Sequence, residues 1–172
     1  MRNTHVWRFT LLTALFGLLG VGNVWAQLTS LELGKVYHFT NVGREGKALG
    51  ATAPSSVGGV TVDNSNKSQL WYVEAKNDAG HYALRNLAFG TYLQGNGQSS
   101  AWTLASTTAS DDSWIQLSTV GSNNVFKGHT YGDYGFAHID NSSNIVGWTT
   151  GATSTQWNIS KIEMSDTDIQ NA

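Results

Sequence analysis

Three tryptophans, Trp71, Trp114 and Trp157, lie 43 residues apart, and each heads a short segment of alternating apolar and polar residues. Tryptophan is rare, so two equal intervals with matching surroundings mark an internal repeat. The segments are Trp71-Tyr72-Val73-Glu74, Trp114-Ile115-Gln116-Leu117 and Trp157-Asn158-Ile159-Ser160. Each is the last of four short segments in its unit. The units open with Val36-Tyr37-His38-Phe39, His81-Tyr82-Ala83-Leu84 and Asn124-Val125-Phe126-Lys127. Second segments follow at Ala48-Leu49, Tyr92-Leu93 and Phe136-Ala137, and third ones at Val60-Thr61-Val62, Trp102-Thr103-Leu104 and Ile145-Val146-Gly147-Trp148. Clusters of Gly, Ser, Asn and Asp separate them, which predicts antiparallel hairpins. Between Gln27 and Glu163 no apolar 3.6-residue period runs long enough for a helix. A single hairpin pair cannot bury its own apolar face, so three units predict one closed, all-β, pseudo-threefold domain without open sheet edges.

The repeat does not include the first 26 residues. Arg2 and Arg8 precede an apolar run from Phe9 to Val21, and Val24-Trp25-Ala26 ends on a small residue. This pattern predicts a secretory signal peptide cut before Gln27, because the run is too short to span about 30 Å of hydrocarbon. Removal leaves 146 of the 172 residues, with 8 Lys+Arg against 12 Asp+Glu, a formal charge of −4. Such a balance argues against a phosphate-binding protein, which normally shows a basic face, so no nucleic-acid partner is expected. Zero cysteines exclude disulfides, thiolate metal sites, a cysteine nucleophile and bacterial lipid attachment at a cysteine after the apolar run. A secreted or periplasmic protein without stable membrane insertion is the expectation, and its core alone must hold it together. The expected division is a leader over 1–26, the β domain over 27–163 and a disordered acidic tail over 164–172 that carries Asp166 and Asp168.

Gln69-Leu70-Trp71 is an intact Gln-x-Trp signature, while Asp112-Ser113-Trp114 and Thr155-Gln156-Trp157 keep only the tryptophan. With the triple repeat, these residues resemble the ricin-type β-trefoil lectin family from about Leu33 to Glu163. The resemblance implies six two-stranded hairpins, three closing a barrel and three capping it. It also implies core positions for Trp71, Trp114 and Trp157, and one shallow sugar site for each unit. In that family an Asp follows the second strand, an aromatic lies on the third, and an amide side chain sits near the Gln-x-Trp. The positions matching the Asp hold Gly50, Gln94 and His138 in this chain.

A sugar site needs an aromatic face for the apolar C–H side of the ring and polar groups for its hydroxyls. Unit two offers Gln94, Asn96 and Trp102 as carbohydrate-binding residues, and unit three offers His138, Asp140, Asn141 and Trp148. Burial in the core also suits Trp102 and Trp148, and turn chemistry also suits Gln94-Gly95-Asn96-Gly97. The loop Gly128–Phe136, with His129, Tyr131, Asp133 and Tyr134, is the richest in aromatics. Acid/base cleavage needs two facing carboxylates: on a strand Asp111 and Asp112 would point to opposite faces, while Asp133 and Asp140 could approach in space, though a turn-rich loop explains them equally well. Close metal-ligand spacing, a phosphate-cradling glycine loop and a nucleophile elbow are missing from the sequence, so no catalytic residue, metal or cofactor is expected. A secreted, non-catalytic, glycan-binding β-trefoil is the first reading, with glycans or glycoconjugates as partners. A protein-binding trefoil, such as a protease inhibitor resembling the Kunitz-type plant inhibitors, is the second. A small hydrolase built on His129 and His138 is the third. Valency across repeats or subunits would strengthen weak single sites.

Overall fold

The computed structural model describes residues 28–108 and 110–172; the expected leader lies outside them. Twelve strands follow in chain order. Unit one contains β1 (Val36–Asn41), β2 (Lys47–Ala53), β3 (Ser56–Thr61) and β4 (Leu70–Lys76). Unit two contains β5 (Tyr82–Asn86), β6 (Tyr92–Gln94), β7 (Thr103–Ala105) and β8 (Ile115–Val120). Unit three contains β9 (Asn123–Gly128), β10 (Phe136–Ile139), β11 (Ile145–Trp148) and β12 (Trp157–Ile162). A 3-10 turn precedes the fourth strand of each unit, at Lys67–Gln69, Asp111–Ser113 and Thr153–Thr155.

Antiparallel pairing of β1 with β4, β4 with β5, β5 with β8, β8 with β9, β9 with β12 and β12 with β1 closes a six-stranded ring. The remaining strands form the hairpins β2–β3, β6–β7 and β10–β11. These three hairpins touch one another through Ser56↔Thr103, Gly58↔Asn144 and Gln98↔Gly147. A six-strand barrel with three mutually contacting hairpins is the β-trefoil. Closure leaves few free edges, and the barrel buries one continuous core in which Phe126 meets Phe39, Trp102 and Trp157 at ring-centroid distances of 5.2, 5.7 and 5.3 Å. Among the described residues no helix is long and apolar enough to cross a membrane.

The strand register corrects the equivalence of the three tryptophans. Trp71 lies opposite Asn86, the last residue of β5, and Trp157 lies opposite Asn41, the last residue of β1. Opposite Gly128, the last residue of β9, sits Ile115 and not Trp114. Trp71 and Trp157 are fully buried, and their indole N–H groups donate to Leu49 O (3.1 Å) and Ala137 O (3.0 Å). Ile115 takes that core position in unit two, while Trp114 stays partly exposed as the neighbour just after the 3-10 turn. The equal 43-residue spacing therefore joins two equivalent tryptophans to one that is out of register by one residue. On a pleated strand a one-residue offset turns a side chain to the opposite face.

The intact Gln69 has a structural task. Its Oε1 accepts from His38 Nε2 (3.0 Å) and Asp63 N (2.9 Å), and its Nε2 donates to Thr61 O (2.8 Å), which ties the turn to β1 and to the end of β3.

The tail is ordered, contrary to the expectation for residues 164–172. Asp166–Gln170 forms a short helix, α1, whose N-cap Ser165 accepts from Asp168 N at 3.2 Å. Ile169 is buried against Val36, Leu70 and Leu87, a satellite cluster separate from the barrel core. Ile169→Ala is expected to lower unfolding free energy by about 2 kcal/mol, the low end for a buried aliphatic truncation. Urea denaturation measures it, and a change below about 0.5 kcal/mol would show that the tail contributes nothing to stability.

Candidate carbohydrate-binding site in unit three

Strand alternation decides which side chains of the β10–β11 hairpin face outward. Ile145 and Gly147 are buried, so Val146 and Trp148 emerge together on the other face. His138 lies directly opposite Val146, and Phe136 lies opposite Trp148. The imidazole and the indole therefore share a face, with ring centroids 5.7 Å apart and planes tilted by 32°. The turn after β10 adds Asp140 and Asn141. Together with Ser99 and Val146, these side chains line a surface cavity of about 230 Å³. This is smaller than a pocket for a drug-sized ligand, roughly 300–1,000 Å³.

Each polar group of the rim is positioned by a second residue. His138 Nδ1 shares a 3.1 Å hydrogen bond with Ser154 Oγ, from the 3-10 turn before β12. Asp140 Oδ1 accepts from the backbone N–H groups of Ser142 and Asn144 (2.8 Å each), and Oδ2 accepts from Asn144 Nδ2 (3.0 Å). Asn141 Oδ1 accepts from Arg44 Nη2 at 2.5 Å, so its Nδ2 is the donor left for a ligand. Arg44 comes from unit one, and its Nε also donates to Ile139 O (3.3 Å). Burial raises the Asp140 carboxyl, but the hydrogen bonds from Asn144 and Ser142 outweigh it and hold the group below the ordinary 3.8. It is a carboxylate at neutral pH, with room on Oδ2 for one more donor.

Burial, reinforced by the Arg44 guanidinium and opposed by Asp140, pulls His138 below the ordinary 6.5. His81 is also pulled down, first by burial and then by the charges of His129 and Lys127. His81 lies against His129 with centroids 4.9 Å apart and rings tilted by 39°, and its buried Nδ1 has no partner among the described residues. In both cases the folded chain releases its proton at lower pH than the unfolded chain does. The unfolded state then binds more protons as pH drops below about 6.5, so stability is lost over that window and is unaffected above it. Asp63 and Asp140, both held below 3.8, keep their contributions until more acid conditions. Chemical denaturation at pH 7.5 and pH 5 is expected to show the fall, and His81→Phe is expected to reduce it. Equal stability at the two pH values would contradict it.

The unit-two candidates do not assemble in the same way. Trp102 is 1% exposed and packs on Phe126 in the core, so it offers no face to a ligand. The physical reason is parity: Trp102 stands two residues before the buried Leu104, whereas Trp148 stands three after the buried Ile145. The residue of unit two in the place of Trp148 is Ala105, opposite Tyr92 on β6, and in unit one it is Val60, opposite Ala48. Gln94 Nε2 donates to Ser113 Oγ, and its Oε1 accepts from Thr103 Oγ1, both at 3.3 Å. Asn96 Nδ2 donates to Ala101 O (3.0 Å), and its Oδ1 accepts from Gly97 N (2.8 Å), so both ends close its own loop. The smaller Gly50 stands where unit three has His138, and a Cβ there would lie 2.5 Å from Val60 Cγ2.

His129 and His138 engage different partners. His129 Nδ1 donates to Asp111 O (2.8 Å) beside His81, away from the His138–Ser154 pair. In the aromatic loop, Tyr131 fits against Gly97, Gly128 and Gly135, and Tyr134 is the exposed member. Among the described residues no three His, Asp or Glu side chains are grouped to hold a metal ion. Sequence reasoning missed Ser99, Val146 and Arg44. The alternation of β11 signals Val146, but nothing local to unit three signals Ser99 or Arg44.

No protein-family model matches the chain, and no curated protein matches it. Solved structures do match. The Polyporus squamosus lectin, bound to the epitope Neu5Aca2-6Galb1-4GlcNAc, has a TM-score of 0.60 and 20% identity over 77% of this chain and 50% of that one. The Macrolepiota procera ricin B-like lectin, in complex with lactose, has a TM-score of 0.60 and 17% identity over 78% of this chain and 100% of that one. ThreeFoil, a designed threefold-symmetric protein, has a TM-score of 0.61 and 18% identity over 74% of this chain and 99% of that one. The chain thus spans about half the length of the Polyporus lectin, and other matched chains are glycosidases of which it spans 30 to 33%. At these identities the shared property is the β-trefoil fold.

Proposed function

We propose that this chain is a secreted, non-catalytic carbohydrate-binding β-trefoil that holds one neutral sugar ring in the unit-three cavity. The observation that carries the reading is the outward-facing Trp148 beside a rim of His138, Asp140 and Asn141. The indole supplies a flat apolar surface for a sugar's C–H face. The rim supplies a carboxylate acceptor at Asp140 and an amide donor at Asn141 for the hydroxyls. Glycan-bound lectins among the structural matches, one with lactose and one with a sialylated epitope, support this use of the fold. Binding is favoured over glycoside hydrolysis because the cavity lining contains one carboxylate, already committed to its own turn, whereas acid/base cleavage needs two facing ones. Residues 1–26 direct export and are removed.

An aromatic at the Trp148 place occurs in one unit of three, so each chain contributes a single site of this type. A shallow single-ring site binds weakly, and strong adhesion to a glycan surface then requires several chains acting together. The test is a glycan array probed with labelled residues 27–172. Retention on neutral glycans is expected. Failure to bind any glycan would overturn the reading and favour a protein partner.

A further inference from the structure

The β6–β7 connection is the longest of the three cap turns. It runs from Gly95 to Trp102, whereas the β2–β3 connection is Pro54-Ser55 and the β10–β11 connection is Asp140–Asn144. This long loop does not fold over its own unit. It docks along β11 of unit three, with Ser99 N donating to Gly147 O (2.9 Å), Gly147 N to Ser100 O (3.1 Å) and Trp102 N to Ile145 O (2.8 Å). The approach depends on the absence of a side chain at Gly147, where a Cβ would lie 2.2 Å from Gly97 O and 2.5 Å from Asn96 O.

The loop carries Ser99 to the edge of the unit-three cavity, where it lines the wall with Val146 and Trp148. Ser99 has φ +57, a left-handed conformation that glycine adopts with less strain. Its side chain is exposed, and its hydroxyl makes no hydrogen bond among the described residues. The left-handed backbone, fixed by the Ser99 N–Gly147 O bond, presents this exposed hydroxyl at the mouth of the cavity.

Resting on the sugar-binding reading above, we infer that Ser99 is a specificity-determining residue of a composite site built from two repeats. A ring stacked on Trp148 meets Asp140 and Asn141 along one edge and Ser99 Oγ along another. The ligand class is a neutral pyranose with a hydroxyl at that second edge, and Ser99 distinguishes it from epimers that lack one there. The arrangement also accounts for unit two. Its Asn96 is spent on shaping the loop that serves the neighbouring unit, and its Gln94 is held by Ser113 and Thr103.

The experiment is calorimetric titration of residues 27–172 with the methyl glycosides of galactose, glucose, mannose and N-acetylglucosamine and with lactose. Wild type, Ser99→Gly and Trp148→Ala are compared, with thermal melting of each. Ser99→Gly removes the hydroxyl and relaxes the backbone, so its melting temperature is expected to hold or rise. Its affinity for the preferred sugar is expected to fall about tenfold, the upper range for one neutral hydrogen bond, with a smaller change for the epimers. Unchanged affinities in Ser99→Gly with lost binding in Trp148→Ala would overturn the role of Ser99 and leave the site standing. An equal loss for every sugar would overturn specificity. Wild-type binding that survives Trp148→Ala, or no wild-type binding at all, would overturn both the site and the inference.

Discussion

Trp148→Ala is expected to reduce sugar affinity about thirtyfold or more, which corresponds to about 2 kcal/mol for loss of a central aromatic anchor. Stability is expected to change little. Trp148 is only partly buried, its position at the end of β11 is at the rim of the cap, and its principal ring neighbour is the half-exposed His138. Losing it leaves no closed cavity, because water can enter where the indole lay. Equilibrium titration read alongside a urea melt separates the two effects. A variant that binds as the wild type does would remove Trp148 from the site. A variant that fails to bind because it fails to fold would be recognised by its lost melting transition.

Trp157→Ala is expected to destabilise the domain by about 3–5 kcal/mol, as truncation of a fully buried aromatic does. The loss has two parts. A large void opens beside Phe126, and Ala137 O is left without the indole N–H that donates to it at 3.0 Å. Domains of this size are stable by roughly 5–15 kcal/mol, so the variant approaches the unfolding threshold. Trp114→Ala is expected to cost about 1 kcal/mol, because that side chain is partly exposed and out of register with the core positions. Ile115→Ala is expected to cost about 2–5 kcal/mol, since Ile115 fills the place of the missing indole. Urea denaturation of the three variants ranks them. A cost for Trp114→Ala equal to that of Trp157→Ala would restore the equivalence that the 43-residue spacing implies.

The twelve strands were legible because each is a short alternating segment between turn-forming residues, and every expected segment overlaps an observed strand. Their ends were less so: Trp102 and Trp114 fall just before β7 and β8, and β3 begins at Ser56. The tail shows the limit of composition as a guide. Asp166 and Asp168 suggested fraying, yet Ser165 caps the turn through Asp168 N and Ile169 supplies the apolar anchor. The pair Ser165 and Asp168, three residues apart, was the available signal for a helix start.

The site was half legible. His138, Asp140, Asn141 and Trp148 belong to one hairpin, so their proximity follows from strand pairing alone. Trp102 and Trp148 both belong to the third segment of their unit, and only parity relative to Leu104 places Trp102 in the core. Ser99 lines the cavity from unit two and Arg44 of unit one bonds its rim residue Asn141, across contacts that no local pattern encodes.

The number of strands, their antiparallel hairpins and the threefold plan are encoded locally, since they depend on alternation and turn chemistry within a few residues. A chain with no cysteine must also hold this plan without disulfides. Tertiary structure alone decided which tryptophans form the core and which one faces solvent. A strand's two faces differ by a single residue of register, and register is set by partners distant in the chain. One wall of the cavity likewise depends on packing between units, because Ser99 reaches it only where the β6–β7 loop docks along β11.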